Sequence, residues 1–399
     1  MSVVRVQSQI CHGISEYDQC SSNSACACFH MAGTNNTGIC GFQWVTCSEL
    51  RACEHTTNHC HESDHICIRH PRCHNHPVCY PVSMIDQPIC PPITMIPNIP
   101  ANARWAQNGV TVAGGHEPGN STNQLFNPWD LFVDDDDQTM VIADRKNHRI
   151  VQWKIGDTNG QVVAGGTGQG NRLDQLDTPI DVLIDKKTDS LIISERGNRR
   201  VVRWSRRSGT IQGEILIDNI DSYGLVTDGH GYLYISNALK HEVRRYQIGD
   251  KNGTIVAGGH GKGTGLNQLN YPHCIFVDQQ QTVYVSDTYN HRVMKWNKGA
   301  KEGIVVAGGQ GEGNALTPVL YPNELVGDGL GTLYIADSLN HRVIRWPKGA
   351  IQGTVIVGGN GKGARANQFN SAVSLSFDRH RDLYVVDTDN HRVQRFSIE

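Results

Sequence analysis

One seven-residue pattern occurs six times in this chain of 399 residues, and no other feature constrains the fold as strongly. Each copy has a β-branched residue in its fourth place and ends on an aromatic residue. The copies are residues 147–153, 198–204, 240–246, 290–296, 340–346 and 390–396. Their starts are separated by 51, 42, 50, 50 and 50 residues. Such a period is typical of folds that repeat one supersecondary unit.

Each repeat contains four short runs of strand-forming residues. In the fourth copy these runs are residues 274–278, 283–287, 292–296 and 304–307. They are rich in Val, Ile and aromatic residues and are bounded by Gly, Asn, Asp or Pro, as is typical of strands joined by tight turns. A four-stranded unit repeated six times predicts an all-β fold, a six-bladed β-propeller.

The two ends of the repeat region predict how the propeller closes. The last copy stops one strand short of a complete unit, whereas residues 110–114 resemble the missing run. We therefore expect this N-terminal strand to complete the final blade. Closure of this kind pairs strand edges that would otherwise be prone to aggregation.

The repeated residues resemble the NHL repeat over roughly residues 105–399. The resemblance is carried by the Asn-His-Arg-Val core, by the basic and aromatic residues after it, and by the preceding segments 333–337 and 382–387. The third copy departs from the family pattern, because Lys240-His241-Glu242 replaces the triplet and the connection before it is shorter. The family resemblance implies a propeller that binds a ligand on one face. Related propellers include zinc-dependent amidating lyases and RNA-binding proteins.

Residues that recur once per repeat are predicted to serve the blades rather than chemistry. An acid or amide stands three residues before each motif, and most motifs carry an arginine that can pair with it. The motif histidines (His148, His291, His341 and His391) lie on different blades and cannot converge on one metal ion. The glycine-rich stretches lead from strand to strand, which indicates turns rather than phosphate loops.

Function is expected where the repeats differ, at the starts of the innermost strands. These positions carry polar and aromatic residues that change from blade to blade. The candidate ligand-binding residues are Trp129, Asp130, Asp181, Tyr223, His273, Asn323 and Glu324. They predict a ligand-binding depression at one mouth of the propeller, and a solvated rim is the alternative. We expect no catalytic residue, cofactor or metal in this set.

The first 90 residues have a different composition, with 12 of the 13 cysteines. They are Cys11, Cys20, Cys26, Cys28, Cys40, Cys47, Cys53, Cys60, Cys67, Cys73, Cys79 and Cys90. A segment this short with few large apolar side chains needs covalent stabilisation, so we predict six disulfides and an oxidising compartment. Zinc is the alternative, because seven histidines crowd residues 55–76 and His70, Cys73, His76 and Cys79 recur at intervals of three.

The domain boundaries follow from this composition. We predict a disulfide-rich module over residues 1–90, a proline-rich linker over 91–100 and the propeller over 101–399. The net charge of −3 gives no broad attraction for nucleic acid. No apolar run approaches the ~20 residues that span a bilayer, so no membrane insertion is expected.

Together these patterns predict a non-catalytic extracellular binding or scaffold protein for a protein or glycan ligand of unknown identity. The extracellular or secretory-lumen assignment rests on the cysteines, since residues 1–12 lack an apolar leader. Candidate glycosylation sites at Asn35, Asn120 and Asn252 agree with it. The alternatives are a metal-dependent lyase or lactonase-like enzyme and an intracellular ubiquitin-ligase-type protein with a zinc-binding N-terminal domain.

Overall fold

The chain forms two compact units, Met1–Thr94 and Met95–Glu399. The computed structural model describes residues 10–12, 21, 26–32, 37–43, 45–54, 57–62, 64–85, 99–134, 138–207, 210–309 and 318–399. Within these residues no helix is long and apolar enough to cross a membrane. The predicted linker at 91–100 lies outside the described residues except for its last two positions.

Two three-stranded antiparallel sheets are formed by the part of the first unit that the structure describes. Their strands are β1 (Ile10–His12), β2 (Cys26–His30), β3 (Thr37–Phe42), β4 (Arg51–Ala52), β5 (His65–Ile68) and β6 (Val78–Pro81). Short 3-10 turns cover Cys47–Glu49 and Val82–Ile85. A small apolar core includes Phe29, Ile39 and Tyr80, all fully buried.

The described residues of the second unit form six four-stranded antiparallel sheets. Their strands are β7 (Val110–Gly114), β8 (Asp130–Asp134), β9 (Thr139–Asp144), β10 (Arg149–Lys154), β11 (Gln161–Gly165), β12 (Pro179–Asp185), β13 (Ser190–Glu195), β14 (Arg200–Ser205), β15 (Glu214–Ile217), β16 (Ser222–Thr227), β17 (Tyr232–Asn237), β18 (Glu242–Gln247), β19 (Thr254–Gly258), β20 (Pro272–Val277), β21 (Val283–Asp287), β22 (Arg292–Trp296), β23 (Ile304–Gly308), β24 (Pro322–Gly327), β25 (Leu333–Asp337), β26 (Arg342–Trp346), β27 (Thr354–Gly358), β28 (Ala372–Phe377), β29 (Leu383–Asp387) and β30 (Arg392–Phe396). The strand runs predicted for the fourth copy are confirmed as β20 to β23.

One strand of each sheet, here called its inner strand, contacts the inner strands of the two neighbouring sheets. The inner strands are β8, β12, β16, β20, β24 and β28, and β28 contacts β8 to complete the cycle. The last sheet takes its fourth strand from the start of the unit, since β7 pairs antiparallel with β30. The expectation that residues 110–114 complete the last sheet is confirmed.

The core lies between neighbouring sheets. The aromatic residue that ends each motif is buried there, as when Trp153 packs with Tyr384 and Val386 of the preceding sheet. Burying a large apolar side chain stabilises a fold by about 1.5–3 kcal/mol. The six-fold recurrence of this aromatic position therefore places a similar stabilising contact in every sheet.

Four of the turns after the second strand of a sheet are 3-10 turns that end on a motif histidine. They cover Arg145–Asn147, Thr288–Asn290, Ser338–Asn340 and Thr388–Asn390. Each closing histidine has a left-handed backbone with φ of 52° or 53°. This conformation reverses the chain into the third strand and brings the histidine side chain to the next sheet.

Candidate functional site

The recurring acid and arginine form a buried ion pair in every motif except the third. In the fourth repeat Arg292 Nε donates to Asp287 Oδ2 at 2.7 Å, and the other guanidinium nitrogens donate to carbonyls of the loop before the inner strand. The equivalent pairs are Asp144–Arg149, Glu195–Arg200, Asp337–Arg342 and Asp387–Arg392. These residues fix a loop onto its own sheet, so the prediction that they serve the blades is confirmed.

The motif histidines join each sheet to the next one. Nδ1 of each, and of His241 at the same place in the third copy, accepts a hydrogen bond from a backbone N–H one to three residues before the following inner strand. The pairs are His148 with Thr178, His241 with Tyr271, His291 with Tyr321, His341 with Ser371 and His391 with Asn127. An accepting Nδ1 requires a neutral imidazole with its proton on Nε2. Burial lowers the pKa of His148, His241 and His341, which favours the neutral form.

The end of the second unit at which the inner strands begin is called the mouth below. Three of the predicted site residues lie just inside it as carboxyl groups on the inner strands. Asp130 accepts hydrogen bonds from Val182 N–H at 3.0 Å and Ser374 Oγ at 2.7 Å. Asp181 accepts from Leu225 N–H at 2.8 Å. Each aspartate therefore ties its strand to the next inner strand.

Glu324 lies on β24, two sheets from Asp130 and three from Asp181, and its carboxyl group accepts a hydrogen bond from a thiol. Cys274 Sγ donates to Glu324 Oε2 at 2.9 Å, and both residues are half-buried. Burial, followed by repulsion from Asp130, raises the pKa of Glu324 to about 8. Burial raises the pKa of Asp130 to about 6. The inner strands therefore hold carboxyl groups that retain protons more readily than carboxyl groups in water.

Aromatic side chains concentrate on one side of the mouth. His273 stacks on Tyr223 with ring centroids 4.3 Å apart, and Tyr271 and Tyr321 each present an edge to it at 5.7 Å. Tyr289 contacts Tyr271 and Tyr321 and is 46% exposed. These four tyrosines and His273 are called the tyrosine cluster below. Its exposed edge is Tyr289, and Tyr223 and His273 form its buried floor.

His273 is held in its neutral form within this cluster. Its Nδ1 contacts Asn323 Oδ1, and only 3% of the residue is exposed. Burial lowers its pKa to about 4. Its Nε2 is buried and has no hydrogen-bond partner among the described residues. A buried polar atom of this kind is uncommon, because native folds usually pair such atoms with protein or water.

Two arginines lie against aromatic rings of the mouth. The Arg145 guanidinium is 4.5 Å from the centroid of Trp129, and that of Arg196 is 4.7 Å from Tyr223. Arg196 also donates to the Tyr271 hydroxyl at 2.8 Å. An open cleft of about 300 Å³ adjoins Arg196 and is also lined by Thr178, Gly197, Arg199 and Asp221.

The structure therefore separates the predicted site residues into two levels. Trp129, Tyr223, His273 and Asn323 meet at the mouth, whereas Asp130, Asp181 and Glu324 lie one position further along their strands. Five further residues of the mouth escaped prediction, namely Arg145, Arg196, Tyr271, Tyr289 and Tyr321. The sequence signal that could have found them is that these positions also differ between repeats. Arg145, Arg196 and Tyr289 lie in the turn after the second strand of a sheet. Tyr271 and Tyr321 lie immediately before an inner strand.

The carboxyl groups at the mouth do not assemble into a metal site. Among the described residues, the only group of three His, Cys, Asp or Glu ligand atoms within 4.8 Å of one another is Cys53, Cys60 and Cys79. All three are disulfide-bonded. Their sulfurs are therefore not free thiolates that could bind zinc.

Comparison with known families agrees with the repeat pattern. The family model described as the NHL repeat matches residues 269–296 and 369–396. The chain carries NHL repeats. No curated protein sequence matches the chain significantly.

Several solved structures share the propeller fold of these NHL repeats. A Bacteroides thetaiotaomicron protein of unknown function has a TM-score of 0.58 at 13% identity, with 93% of this chain and 87% of that chain covered. An auxiliary nutrient binding protein from the same organism has a TM-score of 0.54 at 16% identity, with 76% and 75% covered. A Xanthomonas campestris gluconolactonase has a TM-score of 0.52 at 14% identity, with 76% and 99% covered. At such identities these likenesses show the fold alone.

The third NHL repeat departs from the pattern for a structural reason. Residues 218–221 alone connect β15 to β16, whereas residues 166–178 connect β11 to β12. The third repeat therefore lacks the loop carbonyls that the motif arginine binds elsewhere. Glu242 stands in place of that arginine and instead accepts from Arg244 Nε at 2.5 Å. Asn237 replaces the motif acid, so the loop, the arginine and the acid are absent together.

The N-terminal unit is linked by disulfides. The bridges are Cys47–Cys73, Cys53–Cys67 and Cys60–Cys79. Cys26, Cys28 and Cys40 are also disulfide-bonded. The alternative ligand string at 70–79 is not assembled, because Cys73 and Cys79 are oxidised and His70 is stacked on Phe29.

The remaining predictions concern the glycosylation sites and the other cysteines, some of which lie outside the described residues. Asn120 and Asn252 are exposed in loops of the second unit, as glycosylation would require. Asn35, Cys20, Cys90 and the side chain of Cys11 lie outside the described residues. Cys274, the one cysteine beyond residue 90, is a free thiol.

Proposed function

We propose that this chain is a secreted, non-catalytic binding protein, a six-bladed NHL propeller preceded by a disulfide-stabilised module. The proposal rests on the mouth, where positions that vary between repeats bring together Trp129, two arginines and the tyrosine cluster. Mixed aromatic and cationic surfaces of this kind are enriched at binding sites. The nutrient-binding neighbours share the fold and are compatible with such a role.

Location outside the cytosol is supported by the disulfides. Nine of the cysteines are oxidised among the described residues, and such bridges persist in extracellular, luminal or periplasmic compartments. Exposed Asn120 and Asn252 are compatible with passage through a secretory pathway. The domains are proposed as residues 1–90, 91–100 and 101–399, in agreement with the division into two compact units.

Catalysis is not proposed, because the described acids and the histidine of the mouth are engaged in structural contacts. Asp130 and Asp181 are engaged by backbone N–H groups of neighbouring strands. His273, the one histidine at an inner-strand start, contacts Asn323 and tyrosine rings rather than a nucleophile. A binding role therefore fits the described contacts better than a lyase or lactonase.

Substitution of Trp129 and Tyr289 by alanine tests the mouth as the binding site. Both side chains are partly or largely exposed, whereas Tyr223 is 6% exposed and its loss would disturb the fold. A thermal-shift screen of the full chain against soluble saccharides and organic acids would supply ligands. The double variant should bind any of them at least tenfold more weakly. The control Ile351→Ala changes a side chain that is 91% exposed and lies outside the mouth. Equal affinity in all three proteins would place the site elsewhere.

A further inference from the structure

One turn position beside the mouth has a structural use in the last three repeats. There a hydroxyl group donates to a backbone carbonyl at or next to the start of an inner strand. The contacts are Thr288 with Pro322, Ser338 with Tyr321 and Thr388 with Pro128, at 2.7–2.9 Å. The first two repeats have Arg145 and Arg196 at this position. Arg145 and Arg196 stand in place of this hydroxyl group and lie over aromatic rings. The structural role that the hydroxyl group has in the last three repeats therefore does not explain them.

Among the described residues, neither arginine has a carboxylate within hydrogen-bond distance, although Arg196 forms a longer ion pair with Asp221. Arg145 donates to the neutral amide oxygen of Asn127 at 3.2 Å, and no carboxylate of the described residues lies within 4 Å of it. Arg196 Nε is 3.7 Å from Asp221 Oδ1, beyond hydrogen-bond distance. The motif arginines of the same chain, by contrast, contact their acids at 2.5–2.9 Å.

The two guanidinium groups also interact with each other. Burial is the largest cause of the lowered pKa of Arg145, and repulsion from Arg196 adds to it, whereas Tyr223 and Asp389 act in the opposite direction. Two like charges that share a partly desolvated surface are stabilised when an anion lies between them. Arginine is suited to this role, because its planar group binds a carboxylate through two parallel hydrogen bonds.

The tyrosine cluster adjoins this cationic pair directly, since Arg196 contacts both Tyr223 and Tyr271. Leu239 and Leu339 are more than half exposed at the turn position that Tyr289 occupies in the repeat between them. The mouth therefore has an aromatic and apolar side next to a cationic side. The unpartnered Nε2 of His273 adds a polar group beneath the aromatic side.

We propose that the mouth binds a small carboxylate carried on a six-membered ring. The carboxylate lies between Arg145 and Arg196, and the ring lies on the exposed edge of the tyrosine cluster at Tyr289. This inference rests on the proposed function, because both place the ligand at the mouth. Acidic sugars and aromatic acids share this chemistry.

The surroundings of the two arginines favour a small anion over a polyanion. Asp221 lines the cleft beside Arg196, and exposed Asp389 accepts from Asn127, the residue that Arg145 contacts. These carboxylates would repel phosphates on either side of a bound nucleotide chain. One anionic group between the arginines avoids that repulsion.

Calorimetric titration of the full chain with two matched probe pairs tests the inference. Glucuronate and methyl glucoside compare a charged with a neutral sugar ring, and benzoate and benzamide do the same for an aromatic ring. We expect at least one acid to bind at least tenfold more tightly than its neutral partner, and the affinity to fall with added salt. Which acid binds distinguishes a sugar from an aromatic ligand.

Arg145→Gln and Arg196→Gln should each weaken binding of the acid at least tenfold. The control is Arg203→Gln, which removes an arginine that pairs with Glu214 on the outer strands. Equal binding of acid and neutral probes that Tyr289→Ala abolishes would reject the anion inference and retain the mouth as the site. Absence of saturable binding by both acids, or tighter binding of a single-stranded oligouridylate, would overturn the inference.

Discussion

At the scale of residues, the same side-chain type has different partners in different settings. Arg292 is fixed by Asp287 at hydrogen-bond distance and by three loop carbonyls, whereas Arg196 lies on an aromatic ring and its acid, Asp221, is 3.7 Å away. The motif arginines were predictable because an acid recurs at a constant spacing before them. Arg145 and Arg196 were not, since their role depends on which way a turn directs a single side chain.

Asp287→Asn is expected to destabilise the second unit by about 3–5 kcal/mol, because it leaves the buried Arg292 guanidinium without its counter-charge. The matched control is Glu242→Gln, which removes a carboxylate whose partner Arg244 is 26% exposed. This control should cost less than about 1 kcal/mol. Chemical denaturation of both variants measures the difference. Similar losses of stability in the two variants would show that the buried ion pair contributes no more than the partly exposed one.

At the scale of elements, the sequence predicted strands well and connections poorly. Alternating Val, Ile and aromatic residues set the strands of the fourth repeat to within two residues at each end. The role of the histidines in joining consecutive sheets was not predictable. It requires a left-handed backbone at the histidine and a loop N–H brought from the next repeat, which local pattern does not encode.

These histidines predict a pH dependence of stability. Burial lowers the pKa of His148, His241 and His341, so the unfolded chain takes up their protons first, near pH 6.5. Their contribution is present above that pH and is lost as the pH falls below it toward the lower folded-state pKa. Carboxyl groups with a raised pKa, such as Asp387 at about 6, act in the opposite direction.

The histidine contribution is isolated by a comparison of two proteins. A variant with asparagine at all three positions cannot titrate there, and asparagine tolerates the left-handed backbone. Between pH 7.5 and 5.5 its unfolding temperature should fall less, or rise more, than that of the wild type. Thermal unfolding followed by circular dichroism measures both slopes. Parallel slopes would mean that the histidine bonds do not depend on protonation.

At the scale of the whole molecule, two ways of stabilising a fold occupy separate parts of the chain. The first unit has a small apolar core with disulfide bridges across it. The second unit has an apolar core between every pair of neighbouring sheets, and its only cysteine, Cys274, is free. Composition alone predicted this division, because cysteine and glycine are concentrated in opposite parts of the sequence.

Reduction should therefore act on one unit and spare the other. Loss of the bridges releases conformational entropy to the unfolded first unit and typically removes about 2–5 kcal/mol of stability per native disulfide in a small domain. We expect two transitions in calorimetry of the full chain, of which a reductant lowers or abolishes only the one from the first unit. Intact mass before and after reduction counts the bridges in the same sample. A mass unchanged by reduction would remove the argument for an oxidising compartment, because the cysteines would then be free to bind metal.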